Sequence, residues 1–183
     1  MKRNLFFALS WAAVFAFFPL GAEDLADRIH RSAVEMTQAF QREDAETLVR
    51  YTAQAVLERT GGASVTAAQI RAEFESNRKE HIRLNKFTII RPDRIYYLQG
   101  QLFALVERKS QWQMDKQTME LRYNVLAIST DGGATWRFAE LTSIDEKLFR
   151  ELFGFFDAEF FGQFYKYTSE RCNCAVTSAD KRK

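Results

Sequence analysis

Residues 66–90 read TAAQIRAEFESNRKEHIRLNKFTII, and the hydrophobic period changes inside this stretch. Up to Phe74 the spacing is helical. Ile70 and Phe74 lie four apart, and Thr66 and Gln69 have the separation of a capping box that opens a helix. From Ile82 to Ile90 apolar and polar residues alternate loosely and β-branched side chains enter, which is the pattern of a strand. The change of period near His81 divides the chain into a helical part before it and a sheet part after it.

Toward the N-terminus the helical part extends by two further segments. Leu25, Ile29, Ala33, Met36 and Phe40 recur at spacings of four and three, which predicts a helix over 24–42 with Asp24 and Asp27 at the positive end of its dipole. Asp44 is the predicted N-cap of a second helix that carries Leu48, Tyr51, Thr52, Ala55 and Val56 inward and ends before Gly61-Gly62. Toward the C-terminus, Arg91-Pro92-Asp93 signals a turn. Ile95 to Lys109 follows as one long strand-like run with a bulge or bend expected at Gly100. Glu120–Thr130 and Thr135–Thr142 are two more predicted strands, separated by the turn Asp131-Gly132-Gly133. Helices first and strands later predict an α+β fold: three N-terminal helices packed on a curved antiparallel sheet of about four strands. Residues 23–183 are expected to form a single domain, with no internal repeat.

Residues 1–22 are expected to be an address and not part of that fold. Lys2 and Arg3 precede an apolar run from Leu5 to Phe18, and Pro19-Leu20-Gly21-Ala22 supplies small residues before Glu23. This is the layout of a secretory signal peptide cleaved after Ala22, so the protein is expected to be exported, periplasmic or secreted. The run is short for a membrane helix, and no stable span is expected after cleavage. The whole chain carries 26 Lys+Arg against 24 Asp+Glu. Loss of Lys2 and Arg3 balances these charges, and a neutral protein has no general attraction for phosphate backbones, which argues against nucleic acid as a partner. Cys172-Asn173-Cys174 holds the only two cysteines. An oxidising compartment favours a disulfide, within the tail or between two chains; a redox or metal site ranks lower because zinc wants four ligands and neither histidine, His30 or His81, is near in sequence. No metal and no cofactor is expected.

Two other stretches stand out. Ser129 to Trp136, STDGGATW, has the pattern S-x-D-x-G-x-T-W and resembles the Asp-box hairpin of sialidase-type propellers. That resemblance implies a structural turn in which Asp131 accepts backbone N–H bonds, Gly133 takes a positive φ and Trp136 packs beneath. One box cannot build a propeller. The segment 144–167 is crowded with aromatics. Phe149, Phe153, Phe156, Phe160, Phe164 and Tyr167 make one helical stripe, other rings lie off it, and Gly154 and Gly162 predict a broken helix. Such a segment either packs in the chain's own core or offers a surface to a homodimer or protein partner.

The order of elements, with Asp44-Ala45-Glu46-Thr47-Leu48 opening the second helix and Trp136-Arg137-Phe138 in the closing strand, resembles the nuclear-transport-factor-2-like, cystatin-like α+β cone. The resemblance covers about residues 24–142. It implies a pocket between helices and sheet, used in that superfamily for isomerisation, dehydration or cyclisation, or as a plain binding cavity. Lining residues expected on that basis are Tyr97, Phe103, Leu105, Tyr123, Val125 and Phe138. Asp93, Asp115 and Asp131 fall in predicted turns, away from the place of an isomerase-type Asp pair. No catalytic residue can be named. His81 is expected as a solvated connector and His30 as a surface residue. Glu107, Glu120, Arg122 and Glu140 lie in strands and are expected on the solvent face as salt-bridged pairs. The favoured expectation is an exported, non-catalytic domain that binds an apolar or amphipathic small molecule; a protein-interaction or dimerisation module using the Phe-rich C-terminal segment or the outer sheet face ranks second, and an isomerase- or dehydratase-type enzyme third.

Overall fold

The computed structural model describes residues 24–140 and 146–165. The predicted leader 1–22, Cys172 and Cys174 lie outside the described residues. Four helices come first: α1 (Leu25–Gln41), α2 (Ala45–Tyr51), α3 (Gln54–Arg59) and α4 (Ala63–Lys79). The strands follow as β1 (Ile82–Ile89), β2 (Tyr96–Leu98), β3 (Gln101–Met114), β4 (Gln117–Ser129) and β5 (Arg137–Glu140), and then α5 (Glu146–Phe153) and α6 (Ala158–Tyr165). The fold is α+β, with helices followed by a curved antiparallel sheet in the order β1-β3-β4-β5. β1 pairs with the far half of β3, at Arg108–Met114, while β2 pairs with its near end, at Gln101–Phe103, so the two share one edge of β3. Among the described residues no helix is long and apolar enough to cross a membrane.

Three details differ from the sequence expectation, each for a tertiary or turn reason. The second predicted helix is two helices. The chain breaks at Thr52-Ala53, where Thr52 bridges Phe138 and the Ala53 N–H donates to the Phe138 carbonyl at 2.8 Å, so the helical run is interrupted to cover the edge of β5. The helix expected from Thr66 starts at Ala63, because Gly62 takes the cap position at φ +94° and the Thr66 hydroxyl bonds back to the Gly62 carbonyl. The long run from Ile95 is a hairpin. Gln99 and Gly100 both adopt positive φ, the geometry of a two-residue turn that folds β2 back on β3.

Alternation along the strands gives the sheet two apolar faces. On the inner face Ala104, Val106, Tyr123, Val125 and Phe138 pack with Ile29, Ala33 and Met36 of α1. On the other face Phe103, Leu126 and Ile128 pack with Phe153, Phe156, Phe160 and Phe161 of the C-terminal segment. Phe156 and Phe160 stack at 3.7 Å, and Phe103 meets Phe156 edge-on at 5.0 Å. Four rings of that segment are thus taken up inside the chain, each adding about 1.5–3 kcal/mol of burial. The expected break falls at Gly154, where a Cβ would lie 2.5 Å from the Arg150 carbonyl oxygen, and Asp157 stands just before α6, its carboxylate accepting from the Phe160 N–H. Gly162 lies within α6.

Candidate functional site

The inner face of the sheet is not filled throughout. Beyond Val106 toward the middle of β3, the next inward side chains are Arg108, Ser110 and Trp112, and the helices stand off them. The result is a cavity of about 410 Å³. Its apolar wall is Met36 and Phe40 from α1, Leu48 from α2, and Trp112, Leu121, Tyr123 and Phe138 from the sheet. Phe40 fixes one corner, meeting Phe74 at 5.3 Å and Trp112 at 5.5 Å, both edge-on. The Trp112 indole N–H donates to the Ser110 hydroxyl at 3.0 Å and so is satisfied without a ligand. The mouth is rimmed by α4, where Thr66, Gln69, Ile70 and Glu73 recur at three, four and seven residues and form one stripe of the helix.

The polar groups of the cavity are few. Arg108, 3% exposed, donates from Nη1 to Glu140 Oε1 at 3.0 Å. Its guanidinium also lies 5.3 Å from the centre of the Tyr123 ring, within cation–π range. The Arg108 Nε is buried and has no hydrogen-bond partner. Burial, reinforced by the charge of Glu140, pushes the Tyr123 phenol well above its ordinary range and keeps it neutral. Glu73 stands exposed at the rim. Its carboxyl is nonetheless partly desolvated by the cavity wall, and this, with the nearby charge of Glu140, raises its proton affinity. The arrangement is an apolar slot with an ion pair on its floor and one carboxyl at its mouth.

Of the six residues expected to line a pocket, Tyr123 and Phe138 are at the wall of this cavity. Val125 is buried in the inner core beside it. Phe103 and Leu105 point to the opposite face, under the C-terminal rings, and Tyr97 is 72% exposed on β2. The reason is strand parity: Phe103 and Leu105 alternate with Ala104 and Val106, and it is the latter that face the helices. The charged strand residues also divide. Arg122 grips Glu107 with two bonds of 2.7 and 2.8 Å, and Gln111 reaches Glu120 at 3.4 Å, all on the outer face. Glu140, expected there, faces inward instead because it follows Phe138 by two residues. Sequence reasoning missed Arg108 and Glu73. The signals that would have found them are the inward parity of Arg108 with Val106 and the position of Glu73 on the Thr66–Ile70 stripe.

The remaining candidates lie elsewhere. Asp131 accepts from the Thr135 N–H and hydroxyl at 2.9 and 2.6 Å and from the Ser129 hydroxyl at 2.7 Å. These bonds, the Thr135 hydroxyl first, hold its carboxyl down at about 2. Ser129 Oγ in turn accepts from the Gly133 N–H at 2.8 Å, and Trp136 is buried beneath. Gly133, at φ +92°, lies against Leu25, and its carbonyl accepts from Arg28, so the turn docks on the start of α1. His81 sits at positive φ at the α4–β1 junction, in an open groove with Arg78 and Asp115 and away from the cavity. His30, expected on the surface, is half-buried, with Nε2 3.2 Å from the Ile89 carbonyl oxygen. Among the described residues no group of three or more His, Cys, Asp and Glu side chains is placed to hold a metal ion.

No protein-family model matches the chain, and no curated protein matches it. Among solved structures, the chain is similar to a domain of unknown function with a cystatin-like fold from Nostoc punctiforme. The identity is 18%, the match covers 79% of this chain and 94% of that one, and the TM-score is 0.42.

Proposed function

We propose that the protein is an exported domain that binds an amphipathic small molecule in the cavity between α4 and the sheet, and that its α+β fold is of the nuclear-transport-factor-2-like kind. The observation that carries the binding proposal is the cavity itself. Its volume lies within the range of about 300–1,000 Å³ of small-molecule sites, and its walls are apolar with a few convergent polar groups, the composition such sites have. The aromatic C-terminal segment supports a binding role less, since Phe153, Phe156, Phe160 and Phe161 are occupied within the chain. The Asp131 hairpin is read as an Asp-box-type turn with a structural role, because its polar atoms bond one another and not the cavity. The raised proton affinity of Glu73 favours a second reading, an acid–base enzyme in which Glu73 moves a proton at the mouth.

Native mass spectrometry of the mature protein, purified from an exporting host, tests the first reading. A discrete mass retained by the native protein and lost in Ile70→Trp, which places an indole across the mouth, is the expected result. Retention of the same mass by Ile70→Trp would place the bound molecule outside the cavity and reject it.

A further inference from the structure

The charges of the cavity select among amphipathic ligands. The described residues that line it include three that can carry charge: Arg108, Glu140 and Glu73. Arg108 and Glu140 neutralise one another at 3.0 Å. The guanidinium is not on offer to a ligand anion, since its side chain is 4% exposed and its Nε is sealed from solvent. Glu73 is left as the surplus charge at the mouth, and it has no hydrogen bond or ion pair with any described residue. Behind it stand the rings of Phe40, Trp112, Tyr123 and Phe138. Aromatic faces attract cations, and Trp does so most strongly. A carboxylate head entering here would meet the field of Glu73 and Glu140. A hydroxyl head would leave Glu73 uncompensated.

We propose that the ligand is an organic amine, protonated at neutral pH, with its ammonium beside Glu73 at the mouth and its apolar body directed inward toward Phe40, Leu48 and Phe138. This rests on the reading of the cavity as a ligand site and adds the chemical class and orientation of the ligand.

Calorimetric titration of the mature protein at neutral pH with 1-octylammonium, 1-octanol and octanoate, each below its aggregation concentration, tests it. The three share a chain and differ in head charge. The ammonium is expected to bind at least about tenfold more tightly than octanoate, the scale of one partly screened charge pair. Glu73→Gln is expected to reduce that preference to less than about threefold by weakening the ammonium, with octanol bound no less tightly than by the native protein, a split that a merely structural role for Glu73 would not produce. Octanoate binding as tightly as the ammonium, or a preference that survives Glu73→Gln, would overturn the inference and leave the cavity reading standing. Binding of all three that persists in Ile70→Trp, or binding of none, would overturn both.

Discussion

Replacing Glu140 by Leu removes one half of the ion pair on the cavity floor and leaves Arg108 charged in place. The arginine side chain is 4% exposed, so it cannot recover its hydration, whereas the Glu140 side chain is 20% exposed. Two unit charges about 4 Å apart interact by about 4 kcal/mol at an effective dielectric near 20, and deleting one partner of a buried pair costs about 3–5 kcal/mol. Tyr123 keeps part of its attraction for the guanidinium, which puts Glu140→Leu near the lower end, about 3 kcal/mol. For a chain of this size that is a fall in melting temperature of about 6–12 °C. Arg108→Met should cost less, about 1–2 kcal/mol, because the remaining carboxylate reaches water or takes up a proton. The double variant Arg108→Met/Glu140→Leu should lie within about 1 kcal/mol of the native protein, since apolar groups of similar volume replace a buried pair at little loss. Urea unfolding followed by circular dichroism gives all three values. Equal losses for Glu140→Leu and the double variant, or a single-variant loss below about 1 kcal/mol, would refute the buried-pair reasoning.

Asp131→Ala should lower the melting temperature by about 2–4 °C, from about 1 kcal/mol of lost turn bonds, and leave ligand binding intact. The folded Asp131 carboxyl is held at about 2 against an ordinary 3.8, so its contribution is present above pH 4 and is lost as pH falls through about 2. Thermal melts of the two proteins should therefore converge in strong acid. Gly133→Ala, at φ +92° with a Cβ that runs into Leu25, should cost more than Gly132→Ala, at φ +71° with open space around it. Chemical denaturation should show the first losing at least about 2 kcal/mol and the second about 1 kcal/mol. Glu73 has a folded proton affinity above the ordinary glutamate value, so its charged form opposes folding once pH rises through its folded pKa. Glu73→Gln should accordingly raise the melting temperature near neutrality, with the gain vanishing below pH 4.5, where both forms are neutral.

The fold was legible where one local signal dominates. The spacing from Leu25 to Phe40 marks α1, and Ile29, Ala33 and Met36 are buried as that period requires. Asp44 caps α2, with its carboxylate accepting from the Thr47 N–H at 3.0 Å. The change of period at His81 falls at the α4–β1 junction. What was not legible depends on contacts distant in sequence. Nothing near Thr52 announces a break, because its cause is the backbone of Phe138 in the last described strand. The hairpin at Gly100 needs Gln99 at positive φ as well, and glutamine does not advertise that conformation.

The cavity was harder still. A charged residue in a strand is assigned to solvent by default, and this holds for Glu107 and Arg122. Arg108 and Glu140 depart from it because each can satisfy the other indoors, a fact about two strands and not about either one. Tyr123 and Phe138 lie at the wall because their parity on β4 and β5 is inward, while Phe103 and Leu105 have the opposite parity and pack with a segment some fifty residues later. An apolar side chain shows that a strand is buried, but on a sheet covered from both sides it does not show which cover it meets.

The most direct measurement is an experimental structure of the protein purified in its native form, without delipidation or refolding. The account predicts continuous non-protein density between Phe40, Trp112, Tyr123 and Phe138, with its polar end at Glu73. A cavity closed by the chain's own side chains, with Trp112 and Ile70 in contact across the place of the ligand, would contradict it.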